Sequence, residues 1–261
     1  MKTISFPILI FLSIISILTF NACEKVIDID LNESNPQLVI EALVLDSMVP
    51  ATVKISQTAS FYEYSDYVKI NNAVVNISDS DGHIFPLNSI GNGIYTSDSL
   101  FGNSGKEYRL NVVYNGQVIT SESTIPQKIN IDSLSYKPFE LGFGDEEMFM
   151  VYLYFNDPVN IENFYRFKIY KNGLLENGLR AYNDQYINGQ NAKVNVGQFE
   201  KGDTVYVEMF SVDYANYLYF KTLSDASGSD NPGNPVSNLE GENCLGYFGA
   251  YAFSFDTIVI R

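Results

Sequence analysis

Residues 91–119 read GNGIYTSDSLFGNSGKEYRLNVVYNGQVI, and their rhythm decides the fold class. Gly91-Asn92-Gly93 precedes Ile94-Tyr95, and a second glycine-bearing turn at 102–105 precedes Tyr108, Leu110, Val112 and Tyr114. Apolar residues at every second position, bounded by turn residues, describe half-buried strands rather than helices. Asn115-Gly116 is a two-residue hairpin signal leading into Gln117-Val118-Ile119, because both residues tolerate the positive φ angles of a tight β-turn.

Upstream the same device repeats. Leu38, Ile40, Ala42 and Val44 share one face of a strand, Val53 and Ile55 one face of the next, and Ala73, Val75 and Ile77 a third. Asp79-Ser80-Asp81-Gly82 turns into His83-Ile84-Phe85. Strands recurring every ten or so residues, with no helical segment between them, predict an immunoglobulin-like β-sandwich over residues 37–126.

Downstream, a second β-rich unit is expected over 127–261. Residues 129–138 read as a crossing strand or linker, and Met148 to Asn156 as a strand covered on both faces, since it is nearly continuous in apolar residues. Phe164, Arg166 and Lys168 alternate with Tyr165, Phe167 and Ile169; Tyr206, Glu208 and Phe210 alternate with Val205, Val207 and Met209. Residues 171–197, rich in Asn and Gly, read as a long excursion between strands. One short helix is predicted over 214–223 with Asp213 as its N-cap, packing Tyr214, Tyr217, Leu218 and Phe220 on the second sheet. A loop over 224–242 then leads to one long or two short strands over 245–260. The class is mainly β.

The N-terminus carries a different signal. Lys2, the apolar run from Ile4 to Phe20 and the small residue Ala22 immediately before Cys23 have the three parts of a secretory leader. A cysteine at the cut implies that residues 1–22 are a lipoprotein signal peptide and that Cys23 is acylated. A transmembrane helix fits less well, because Ser5, Pro7, Ser13, Ser16 and Thr19 interrupt a run already short for a span. A plain secretory cut near Ala22 is the other alternative. Residues 23–36 are polar and acidic and read as a tether closed by Pro36, although Val26, Ile29 and Leu31 could lay a short strand on the domain.

The chain has 261 residues and a formal charge of −15; losing residues 1–22 removes Lys2 and no acid. So acidic a chain is a poor binder of nucleic acid or of anionic lipid by charge alone, so the acyl chains on Cys23 would supply the membrane attachment. With Cys23 acylated, Cys244 has no partner for a disulfide and reads as a small packed hydrophobe beside Leu245, Tyr247 and Phe248.

No catalytic set emerges. Asp145-Glu146-Glu147 are adjacent carboxylates, and a glycosidase needs two held across one bond; they read as a solvated turn. The Asp79–Gly82 segment lacks the glycine position and the final Glu of a calcium loop and reads as a hairpin turn. Asp225 and Asp230 could meet calcium in the loop, but nothing fixes their geometry. Zinc or serine chemistry would have to use the sole histidine, His83. No cofactor or metal is therefore expected. Five triplets, beginning at Asp46, Asp98, Asp132, Asp203 and Asp256, have the Asp-Ser/Thr-apolar form of a bacterial O-glycosylation acceptor, or simply end turns before strands.

The ordered series Cys23, Val39-Ile40-Glu41, Ala73 to Ile77, Asp81-Gly82, Gly93-Ile94-Tyr95 and Gly105 with Tyr108-Arg109-Leu110 resembles a family of Bacteroidota lipoproteins termed domain of unknown function 4249. Tyr165-Arg166, Val212-Asp213, Tyr217 to Lys221, Asn238 and Leu245 to Ala250 extend the resemblance through the C-terminal half. The Asp-Gly turn and Gly-x-Tyr rhythm of the first sandwich is also similar to transthyretin-like domains attached to TonB-dependent receptors. The resemblance brings no active site. It implies a non-enzymatic lipoprotein held in the cell outer membrane, serving as accessory or ligand-binding partner of a TonB-dependent transporter. The alternatives are a structural or adhesive surface protein and, behind it, a glycan-acting hydrolase.

Overall fold

The computed structural model describes residues 36–58, 67–139, 147–227 and 233–261. The predicted alternation becomes β1 (Leu38–Leu45), β2 (Thr52–Gln57), β3 (Val74–Asp79), β4 (Ile84–Gly91), β5 (Ile94–Thr96), β6 (Glu107–Tyr114) and β7 (Gln117–Thr124). Then come β8 (Ser133–Phe139), β9 (Met148–Asn156), β10 (Phe164–Lys171), β11 (Leu174–Asn183), β12 (Asn191–Glu200) and β13 (Thr204–Val212). Helix α1 (Tyr214–Ser227) precedes the long β14 (Cys244–Val259). The protein is mainly β with one helix among the described residues.

Eleven strands share one sheet in the order β11-β10-β13-β14-β1-β2-β5-β4-β3-β6-β7, and a three-stranded sheet runs β12-β9-β8. Strand β4 pairs with β3 through residues 84–87 and with β5 through 88–91, with a register shift between Ser89 and Gly91, and β7 lies against β14. Ile40, Val44, Val53, Ile55, Ile77, Leu110 and Ile119 fill the space between, each no more than 1 % exposed. Burying each such side chain contributes about 1.5–3 kcal/mol. Asn115 (φ 48°) and Gly116 (φ 80°) form the predicted hairpin between β6 and β7.

The second core lies between the β10-β13-β14 part of the large sheet and β12-β9-β8, and contains Val151, Leu153, Phe155, Tyr165, Phe167, Val207 and Met209. An expected boundary after Pro126 marks this change of core: Ile125 belongs to the first and Ile129 to the second. It does not separate independent units. Strand β14 pairs in parallel with β1 through residues 244–251 and antiparallel with β13 through 252–259, so residues 35–261 form one compact unit. Gly246 (φ 110°) makes the parallel pairing possible, since a Cβ there would stand 1.9 Å from the carbonyl oxygen of Ile40.

Several expectations need correction. The 171–197 excursion is mostly strand: Asn172-Gly173 turn β10 into β11, and β12 crosses to the other sheet beside β9. Asn172, Gly173, Asn188 and Gly189 sit in turns, and Asn177 and Gly197 lie at irregular pairings, while Asn183 and Asn191 pair regularly. Strand β9 is buried on alternate residues, Phe149 to Phe155, while Tyr152 and Tyr154 are half-buried, so a single sheet covers it. Helix α1 runs four residues further than predicted, to Ser227, and presents Tyr217, Tyr219 and Phe220 to the sheet while Tyr214 is exposed. The N-cap stands: Asn216 N donates to Asp213 Oδ1 at 2.8 Å.

Candidate ligand-binding face

Alternation on β10, β13 and β14 sends one set of side chains into the second core and the other set outward. Register aligns Arg166 with Phe210 and Phe253, Lys168 with Glu208 and Phe255, and Tyr170 with Tyr206 and Thr257. The result is a three-by-three field with a single carboxylate, Glu208, at its centre. Cross-strand neighbours of this kind are the unit of contact on a sheet surface.

The rings form a continuous path. Tyr170 lies 5.5 Å from Tyr206, Tyr206 5.7 Å from Phe255, Phe255 5.7 Å from Phe253, and Phe253 5.3 Å from Phe210, measured between centroids. Such separations are those of favourable aromatic pairs. Phe255 is 58 % exposed, whereas Phe210 is closed over by α1. The helix thus seals one end of the path and leaves the other open.

Glu208 receives the hydroxyl of Tyr170 at 3.2 Å and that of Tyr206 at 3.5 Å, with the Lys168 ammonium 3.8 Å away. Burial and then the Glu208 charge push Tyr170 up to about 12, and the same causes raise Tyr206, so both phenols remain hydrogen-bond donors at neutral pH. Burial pulls the Lys168 ammonium down from its ordinary range, the neighbouring Arg166 guanidinium pulls it further, and Glu208 opposes them. Across β14, Lys54 of β2 and Glu41 of β1 also act on Lys168.

Arg166 is the least ordinary member, 7 % exposed beneath the helix. Its Nε and Nη2 donate to the carbonyl of Gly178 at 3.2 and 3.1 Å, and its guanidinium stacks 3.6 Å from the Phe220 ring centre. Among the described residues no carboxylate lies within ion-pair distance of it. A buried cation held by a carbonyl and an aromatic ring keeps its positive field, which reaches Lys168. Rings, one carboxylate, one reachable ammonium and phenolic hydroxyls together can grip a ligand with both flat apolar faces and polar groups.

The sequence-derived candidates fall elsewhere. Cys23, the leader and tether residues 1–35, Asp145, Glu146 and Asp230 lie outside the described residues. Glu147 is exposed just before β9, and Asp225 is exposed near the end of α1. Asp79, Asp81 and His83 do converge, their ligand atoms within 4.8 Å of one another. They form the turn of the β3–β4 hairpin, where Asp79 Oδ1 accepts the amides of Asp81 and His83 at 3.0 Å each. The Lys106 ammonium stands 2.5 Å from Asp81 and 3.4 Å from Asp79, placing a positive charge beside the two carboxylates. Cys244 is half-buried against the first core, and burial raises its thiol. Of the five triplets, Ser99, Ser133 and Thr257 are exposed, while Ser47 and Thr204 are half-buried.

A groove of about 460 Å³ on the outer face of β3, β6 and β7 includes Asn76, Asn111, Thr120 and Arg109. Arg109 is already matched there by Glu107 and Glu122 at 3.2 Å each, in exposed pairs of small energetic weight. The charged aromatic field was not singled out by sequence reasoning. Its signal was present in the outward set of two strands, where Arg166, Lys168 and Glu208 alternate with core residues and share their face with rings.

Residues 24–255 match the family described as Domain of unknown function (DUF4249), and the chain belongs to that family. No curated protein matches it.

Proposed function

We propose that this protein is a non-catalytic, lipid-anchored binding protein of a Bacteroidota outer membrane, acting as accessory or ligand-binding partner of a TonB-dependent transporter. The observation that carries the binding role is the field around Glu208: rings, phenols and a tuned ammonium on the rigid face of three paired strands. The anchor rests on the leader and Cys23, which would keep the face within reach of a membrane partner. The transporter rests on the family resemblance.

Detergent extraction and co-purification through the intact acyl anchor is expected to recover a TonB-dependent receptor. Repeated recovery without one would overturn the partnership. Cys23→Ser should release the protein from the membrane fraction; a released variant that still complements a deletion strain would overturn the role of the anchor.

An adhesive surface role has one observation in its favour. Leu174, Leu175, Tyr182 and Tyr186 are exposed along β11 and the turn after it. A deletion strain that loses attachment but keeps transport-linked growth would select this reading.

A further inference from the structure

The charge around the open aromatic path runs against that of the whole protein. The chain carries a formal −15, yet on this face Arg166 and Lys168 stand two residues apart on β10 with Glu208, 3.8 Å from Lys168, as the carboxylate between them, two cations to one. Arg166 cannot leave: the Phe220 ring and the Gly178 carbonyl hold it under α1. Its charge is therefore a permanent feature of the site, expressed at the surface through Lys168, whose side chain is 25 % exposed beside the 17 % exposed Glu208. A partly desolvated cationic excess favours an anionic ligand. The exposed Phe255 ring next to Tyr206 asks for a flat apolar surface, and Glu208 with two phenols asks for hydroxyl groups.

Building on the ligand-binding reading above, we propose that this face binds an acidic saccharide, a glycan bearing a uronic acid. The C–H face of the sugar ring stacks on Phe255 and Tyr206, its carboxylate pairs with Lys168, and its hydroxyls donate to Glu208. Each of the three demands is met by one part of that ligand. A neutral sugar would leave the cationic excess unanswered, and an aliphatic acid would leave the ring and Glu208 without partners.

The full anchored protein in detergent should be titrated with digalacturonate, its methyl ester and neutral digalactose by calorimetry and saturation-transfer NMR. Digalacturonate is expected to bind about tenfold more tightly than either neutral probe. Lys168→Met should abolish that discrimination, and Phe255→Ala should weaken all three about equally; both sites are at least partly open, and circular dichroism checks that each variant folds. Equal binding of the acid and its ester would overturn the acidic assignment. Binding that ignores Phe255→Ala would overturn the location, and no binding of any probe by folded protein would overturn the saccharide class. Receptor co-purification is a separate readout, so failure here is distinguishable from failure of the wider binding role.

Discussion

The hydroxyl of Tyr251 donates to Oδ1 of Asn216 at 2.7 Å, and neither residue is reached by solvent. The same amide donates through Nδ2 to the carbonyl of Phe248 at 3.0 Å and to Asp213 Oδ1 at 2.9 Å. One helical side chain thus ties α1 to β14 from within. Asn216→Ala would leave the Tyr251 hydroxyl without its partner in a dry place, while the Phe248 carbonyl keeps the Asn238 amide at 2.7 Å, at a cost of about 1–3 kcal/mol. Urea unfolding should show a lower midpoint at unchanged slope.

The β3–β4 turn makes a pH prediction. Burial alone would raise the Asp79 carboxyl, but hydrogen bonds from the His83 side chain and amide and from Lys106 outweigh it and hold Asp79 at about 2, below its ordinary 3.8. A carboxyl whose folded pKa is depressed stabilises the fold above about 3.8, and that contribution is lost as pH falls through about 2. Lys106→Met should raise the Asp79 pKa, and its stability deficit attributable to Asp79 should shrink as pH approaches 2. Side-chain carbonyl NMR titration of Asp79 measures the shift directly.

Two glycines with positive φ should respond differently to the same change. Gly116 (φ 80°) has nothing within 4 Å of an added Cβ, so Gly116→Ala should cost only the conformational strain, about 1–2 kcal/mol. Gly246→Ala would drive a methyl into the Ile40 backbone and force β1 away from β14. Thermal melts should show a modest shift for the first variant and loss of cooperative folding for the second.

Cys244 should be a slow thiol. It is half-buried and its pKa is raised by burial, so little thiolate is present at neutral pH. Iodoacetamide labelling followed by mass spectrometry should be several-fold slower than for an unfolded chain and should accelerate in urea.

Much of the architecture was legible because a two-residue period and tight-turn dipeptides are local properties. The strand at 38–45, the Asn115-Gly116 hairpin and the Asp213 cap all follow from neighbours in sequence. The 171–197 region was misread because Asn and Gly count as loop formers until cross-strand partners are known; β12 depends on β9 for its pairing. The candidate face was hidden for a similar reason. Arg166, Glu208 and Phe255 meet only through register between strands far apart in the chain, and helix α1 decides which of the rings stays open.

Strand β14 also imposes an order of assembly. The amide of Phe253 donates to Asp46 Oδ1 at 2.6 Å, across 207 positions of chain. During synthesis β1 can find β2 early, but its other edge waits for residues made last among those described. Closing so long a loop is entropically costly and slow, and a bare strand edge invites pairing with other chains. A chain cut short before Cys244 should therefore be no half-working sandwich but a protease-sensitive, aggregation-prone fragment, and limited proteolysis of such a truncation would reveal it. A cell would then hold either the finished protein or almost none of it.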